Sequence, residues 1–475
     1  MSAGCIVYVG YKLKKYQIIS TVFLLFPLYC EAADILTARF TDELDGVQVS
    51  LCFDGPAPKR LYRHKQAGTF SSGLFHEGRK LQVSSRATTL YLPVLPDNTC
   101  LTWQTNFTAA LKKRDYRLIM PAGEDLVMST NLWFWKGPKH RDLLVDVLLP
   151  EGMSVSTPWD ELRKTDTKTR FRPDKTSADW ESMMAVGQFE VEIIAVPGAN
   201  IRLSAPGKLS GQQRAKISQW IEKTVDPVTM VYGYFPQTHP QVLVIPIGHR
   251  DEAVVSASVL RGGGVATIFY IDENRPLTEY MDAWNPTHEF SHMLIPYVSS
   301  RDRWLSEGLA SYYQNVLRAR DGRLSETQAW QNLHDGFERG RKGTNGGSLA
   351  QATRGGRSST MRVYWSGAAL LLMADMQLRD TTNGRQSLDS AIQSLAACCM
   401  ANGKTWRARE MFEQLDEFTG TVIFTDLYQE YVHSHHFPDI RSTWEHLGIN
   451  TRHSRVSLTQ SAPLADVREA IMKPY

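Results

Sequence analysis

The chain has 475 residues, 42% of them hydrophobic and 22% charged. That excludes a disordered or fibrous protein and gives enough chain for two or three hydrophobic cores. A count of 53 Lys+Arg against 50 Asp+Glu leaves a net charge of +3, so there is no basic footprint for nucleic acid, and six cysteines are too few for a disulfide scaffold.

At the N-terminus Lys12, Lys14 and Lys15 precede an apolar run from 18 to 29, followed by Cys30-Glu31-Ala32-Ala33. A basic segment, a short apolar segment and small residues at a cleavage point predict a signal peptide over residues 1–32. The alternative is an uncleaved anchor, although the run is shorter than the roughly 20 residues that span a bilayer. No other run is long and apolar enough to cross. The mature protein is therefore expected to be exported, periplasmic or secreted, with no stable membrane insertion. Beyond the leader, Cys52 and Cys100 lie in strand-like segments of one region. An oxidising compartment permits a bridge between them; the alternative is two small buried side chains. Cys398 and Cys399, adjacent on a predicted helix, are expected to point apart.

Residues 47–51, 89–95, 143–149 and 188–194 alternate with period two. Asp54-Gly55, Pro96-Asp97-Asn98 and Glu151-Gly152 supply turns between them. This predicts a β-sandwich-like domain over 33–203. Past Pro206-Gly207 the pattern predicts a helix at 210–225, strands at 241–246 and 265–271, and helices nearly throughout after Leu277, one of them over 366–379. The expected fold class is α+β and multidomain. A β-domain is followed by a second domain over 204–445, a small sheet plus a mainly helical part. The tail, 446–475, has no clear pattern.

The informative stretch is His288-Glu289-Phe290-Ser291-His292. On a helix, positions four apart are separated by about 6 Å of rise and stand on one face, so two imidazoles can share one metal ion. Glu289 between them can reach a water on that ion, which is the HExxH zinc-peptidase pattern. After 14 intervening residues Glu307 falls near the start of a second helix. It completes a His₂Glu set with a fourth position open, the mark of a catalytic site. The histidines at 433, 435 and 436 read as a solvated loop.

His288-Glu289-x-x-His292 followed by Trp304-Leu305-Ser306-Glu307-Gly308-Leu309-Ala310-Ser311-Tyr312-Tyr313 resembles the gluzincin metallopeptidases, and most of all the glycyl aminopeptidase family. Tyr364-Trp365-Ser366-Gly367-Ala368-Ala369-Leu370 resembles that family's Tyr-x-x-Gly-Ala-Leu segment. Residues 387–389 and 412–431 resemble its C-terminal helices, and 142–157 the end of its β-domain. The likeness covers about residues 120 to 445. It implies a thermolysin-like catalytic domain, one zinc ion, and a peptide or protein substrate. His288, His292 and Glu307 would be ligands, Glu289 the general base and Tyr364 the phenol beside the oxyanion.

Three departures stand out. The interval from His292 to Glu307 is shorter than the family's. Its acid-bearing Gly-Gly-Leu-Glu-His loop is matched by Gly262-Gly263-Gly264-Val265-Ala266, without an acid, which leaves aminopeptidase and endopeptidase activity both open. Beyond about residue 450 the chain is too short for the family's PDZ domain. The three glycines are expected to let a substrate backbone approach, and strand 265–271 to pair with an extended peptide. The rival reading is a gluzincin-derived protein that binds zinc or peptide without turnover.

Overall fold

The computed structural model describes residues 33–473, apart from 64–66, 87, 139, 177–179 and 401–402. The predicted signal peptide, 1–32, lies outside the described residues. The main strands of the first domain are β1 (Asp34–Phe40), β2 (Gly46–Cys52), β3 (Cys100–Asn106), β4 (Ile119–Ala122), β5 (Asp125–Ser129), β6 (Leu143–Leu148), β7 (Ser154–Ser156), β8 (Asp160–Lys164), β9 (Lys168–Arg172) and β10 (Met183–Gly187). One sheet runs β8-β9-β6-β1-β2-β3 and is extended by the short strands Phe75–His76 and Arg79–Lys80; a second runs β7-β10-β5-β4. Alternation decides what lies between them: β3 buries Leu101, Trp103 and Thr105 and exposes the residues in between. Leu36, Val49, Trp103 and Val145 of the first sheet share one core with Leu126, Met128, Met184 and Val186 of the second. This is the sandwich that the sequence predicts.

The second sheet is covered on its other side as well. Met120, Val127, Met183 and Ala185 pack on Leu243, Ile245, Ala266 and Ile268 of the following domain. Accordingly β5 and β10 are buried at every residue, as strands covered on both faces must be. Cys52 and Cys100 stand directly opposite each other on β2 and β3 and form a disulfide across 48 residues of sequence. A loop of that length stabilises the fold by about 2–4 kcal/mol, mainly through the unfolded chain. Contrary to the expectation from helix geometry, the sulfurs of Cys398 and Cys399 are also bonded to each other. The pair sits at the very end of the helix Leu388–Cys399.

The second domain begins earlier than predicted. β11 (Val191–Val196) and β12 (Ala199–Ser204) form a hairpin that pairs Ile194 with Ile201. Next come helix α1 (Gly211–Tyr232), β13 (Gln241–Pro246), β14 (Val254–Leu260) and β15 (Ala266–Ile271). β12 runs parallel to β13, with Arg202 opposite Gln241, and the sheet order is β11-β12-β13-β15-β14. Segment 188–203, expected to close the first domain, therefore belongs to this sheet. Period-two alternation identifies a strand but not the sheet it joins. β15 is flanked on both sides, so strand 265–271 has no edge to offer a peptide; β14 does.

Four helices build the rest of the site: α2 (Asn285–Ser291), α3 (Arg303–Arg320), α4 (Glu326–Lys342) and α5 (Thr360–Thr381). α3 and α5 cross at Gly308 and Gly367, where a Cβ on either glycine would run into the backbone of the other helix. The same two helices share a buried polar network with the helix Leu388–Cys399. Tyr312 donates to Asp375 at 2.7 Å and Tyr313 to Asp389 at 2.5 Å, while Arg379 pairs with Asp375 and Arg320 with Asp389, each at 2.9 Å. Buried hydrogen bonds and ion pairs of this kind favour one relative placement of the helices that carry them. Segment 446–473 has regular structure too: the hairpin Ile449–Arg452 and Arg455–Leu458 precedes the helix Ala465–Met472. Its fully buried Arg468 donates to the carbonyls of Leu447 and Thr459 and to the Glu326 carboxylate on α4. No helix among the described residues is long and apolar enough to cross a membrane.

Candidate metal centre

Pro286 in the first turn of α2 suits a helix start, where its missing N–H costs nothing. The helix is short. His292 follows it as the first residue of a 3-10 turn, His292–Leu294, and keeps right-handed helical angles of φ −59° and ψ −24°. The four-residue spacing therefore still keeps the imidazoles on one side, ring centroids 5.0 Å apart and planes nearly perpendicular. The chain then turns through Ser300–Asp302 into α3, whose second turn presents Glu307. The shortened interval thus still brings α3 back against α2.

His288 Nε2 lies 3.4 Å and His292 Nε2 3.6 Å from Glu307 Oε2. All three donor atoms fall within 4.8 Å of one another, which makes this the one such cluster among the described residues. Ligand atoms about 2.1 Å from a tetrahedral zinc ion stand about 3.4 Å apart, so the spacing fits. The far nitrogens agree: His288 Nδ1–H donates to Gln314 Oε1 at 2.8 Å, and His292 Nδ1 shares a hydrogen bond with Ser306 Oγ at 2.9 Å. With Nδ1 engaged elsewhere, Nε2 is the nitrogen that each ring turns toward the shared volume.

At Glu307 and His292 the electrostatics match this donor set, while at His288 burial is outweighed by the Glu307 and Glu289 carboxylates, which raise the imidazole. Burial pushes the Glu307 carboxyl up, but the His288 hydrogen bond, the two imidazoles and the Tyr364 hydroxyl outweigh it and bring it down to about 2. Burial, against the opposing pull of Glu307, lowers His292 to about 4, which keeps it neutral as a ligand must be. Burial, reinforced by the Glu307 charge and opposed by His288, raises Glu289 to about 7. No hydrogen bond ties the Glu289 carboxylate to another described residue, so it is free to face a reactant.

Tyr364 stands on the first turns of α5. Its ring stacks on His288 with centroids 5.7 Å apart, which brings it close enough to Glu307 for that charge to act on its hydroxyl. Burial and the Glu307 and Glu289 charges raise its pKa, so it remains a proton donor. The five residues predicted for the chemistry are thus brought together.

The three glycines are not. Gly262, Gly263 and Gly264 are buried against the first domain. Gly262 N–H donates to Glu181 O, Gly263 N–H to Thr176 Oγ1, and Gly263 O accepts from Asp174 N–H. A Cβ at any of them would strike 158–181. Their small size serves the contact between domains, and a substrate-binding role for them is withdrawn.

Four nearby residues went unread in the sequence. Gln314 is seven after Glu307, two turns along the same face of α3, a spacing that could have exposed it. Ser306 was visible only as part of the motif. Trp284, one turn before His288, meets that ring edge-on at 5.4 Å. Arg261 sends its guanidinium to the carbonyls of His292 and Ile295, and burial lowers it to about 10. The histidine tract does not converge on a metal: the carbonyls of Ser434, His435 and His436 accept from the buried Arg362.

No family model matches the chain, and no curated protein matches it by sequence. Solved structures do match. An aminopeptidase N family protein from Idiomarina loihiensis superposes with TM-score 0.67 at 13% identity, over 88% of this chain and 79% of its own. A variant of an M1 zinc metallopeptidase from Deinococcus radiodurans bound to a Tyr-Ser-Ala substrate gives 0.54 at 14%, over 86% and 94%. Yeast LTA4 hydrolase in complex with bestatin gives 0.56 at 11%, over 86% and 68%. A sheet-rich domain followed by a mainly helical one is common ground with the two-domain neighbours. The chain therefore has the fold of the M1 zinc metallopeptidases, a gluzincin fold.

Proposed function

We propose that the protein is an exported zinc-dependent metallopeptidase that hydrolyses peptide bonds with Glu289 as general base. The observation that carries this reading is the convergence of His288 Nε2, His292 Nε2 and Glu307 Oε2 at zinc-ligand spacing. A bound zinc ion supplies Lewis acidity, polarising the scissile carbonyl and lowering the pKa of water. The rest is the work of side chains. Glu289 accepts a proton from the attacking water as the new C–O bond forms. It returns that proton to the amine as the C–N bond breaks. Tyr364 donates a hydrogen bond to the oxygen that gains charge between those steps. Gln314 and Ser306 hold both imidazoles in the ligating orientation. Export rests on the N-terminal pattern, and the Cys52–Cys100 disulfide suits the same oxidising compartment.

The reading is tested with the full mature chain and a peptide library. Chelated protein should cleave nothing, and one equivalent of zinc should restore cleavage. Protein that takes up zinc stoichiometrically yet cleaves no peptide would establish the rival, a binding protein without turnover. Tyr364→Phe should lower kcat by about 10²–10³-fold, the usual cost of one oxyanion donor, with KM nearly unchanged. Undiminished kcat in that variant removes Tyr364 from the mechanism.

A further inference from the structure

Beside the metal centre, on the far side of His288, lies a cavity of about 400 Å³. Trp284, Gln314 and Tyr364 form the wall it shares with the centre, and Arg318, Arg339 and Asp335 also line it. The arrangement is periodic. Glu307, Ser311, Gln314 and Arg318 are spaced four, three and four apart on α3, so they form one stripe on its surface. From Glu307, at the metal position, to Arg318 is about 16 Å of helix rise, roughly five residues of extended peptide.

The charge of the cavity is uneven. Two guanidiniums face one carboxylate, and Asp335 already accepts from Gln331 Nε2 at 2.9 Å. Arg318 is only 8% exposed. Its Nη2 donates to the carbonyl of Asp282 at 2.8 Å, and its Nε has no partner. Arg339 reaches out over the Trp365 ring at 5.1 Å. Neither arginine has a carboxylate within ion-pairing distance among the described residues. The buried Arg318 guanidinium has only the Asp321 and Asp282 charges, beyond ion-pairing distance, to offset its desolvation, and its planar fork is built for carboxylates.

We infer that this cavity binds a carboxylate of the peptide substrate, placed about five residues from the scissile bond. An Asp or Glu side chain, or the free C-terminus of a short peptide, presents the same chemistry. The apolar rim of Trp284 and Met361 accommodates the neighbouring side chain or backbone. This inference rests on the peptidase reading for its orientation, but binding tests it separately.

The experiment uses matched peptides with Glu or Gln scanned through each position, each made as free acid and as amide. Cleavage is measured with the zinc-loaded wild type, and affinity with zinc-loaded Glu289→Gln. The carboxylate form at one position should gain about 10- to 100-fold in kcat/KM and in affinity, the range for a charge-assisted pair. A gain at a Glu position in acid and amide alike identifies a side chain; a gain confined to free acids identifies the C-terminus. Arg339→Gln, an exposed change, and Arg318→Lys, which keeps the charge but not the fork, should both shrink that ratio. Equal affinity and equal cleavage of charged and neutral peptides, or a ratio untouched by both variants, overturns the inference and leaves the peptidase standing. If no peptide is cleaved but Glu289→Gln still prefers the carboxylate form, the peptidase reading fails and the pocket remains.

Discussion

Glu289→Gln should lower the turnover of peptide cleavage by about 10²–10⁴-fold, the contribution of a positioned general base, while leaving the metal content per chain unchanged. The two halves of this result have separate causes. Glutamine is nearly isosteric but cannot accept the water's proton. The donor atoms converging on the metal position belong to His288, His292 and Glu307, not to Glu289. Burial and the nearby Glu307 hold the Glu289 carboxyl near 7, where a base can both take and return a proton around neutral pH. Steady-state kinetics on one cleaved peptide, with zinc analysis of the same samples, checks both halves. Loss of metal together with activity would make Glu289 a ligand, or a fold determinant, instead of a base.

Gly367→Ala should destabilise the protein and weaken its activity, although alanine is the better helix former. Propensity alone would favour the change by about 1 kcal/mol. Against it, a Cβ at 367 would overlap the carbonyl oxygen of Trp304 on α3 and crowd Gly308. Both obstacles are backbone, so no side chain can swing aside. Overpacking of this kind costs about 1–3 kcal/mol, and relief requires that α3 and α5 move apart. Glu307 is the neighbour of Gly308, and Tyr364 stands three residues before Gly367, so that movement separates the third ligand from the phenol. Thermal denaturation of zinc-loaded and chelated protein should show a lower Tm in both forms and a smaller zinc-induced rise. A raised Tm would mean that the crossing is looser than the backbone contacts imply.

The centre was legible in the sequence because its chemistry is local. HExxH depends on helix spacing alone, and Glu307 needed only enough chain for a return. The 3-10 turn at His292 changes the helix type without moving the imidazole off its face. What escaped reading was set by contacts between distant segments. The hairpin at 191–204 alternates like any strand pair, and nothing in it tells that Arg202 pairs beside Gln241. The glycines at 262–264 read as room for a substrate. The space is instead filled by Pro158, Trp159 and Glu181, which lie about a hundred residues earlier in the chain. The last thirty residues hold one buried cation, Arg468, whose partners are carbonyls and a carboxylate on other elements. Polar burial of that kind leaves no periodic trace.

The most direct test of the central claim is the zinc content of purified protein, measured for the wild type and for His288→Ala, His292→Ala and Glu307→Ala with folding verified by circular dichroism. One zinc ion per chain in the wild type, lost in each of the three variants and kept in Tyr364→Phe, is the result expected from donor atoms 3.4 and 3.6 Å apart. A folded wild type that takes up no zinc, or one whose zinc survives loss of Glu307, would contradict it.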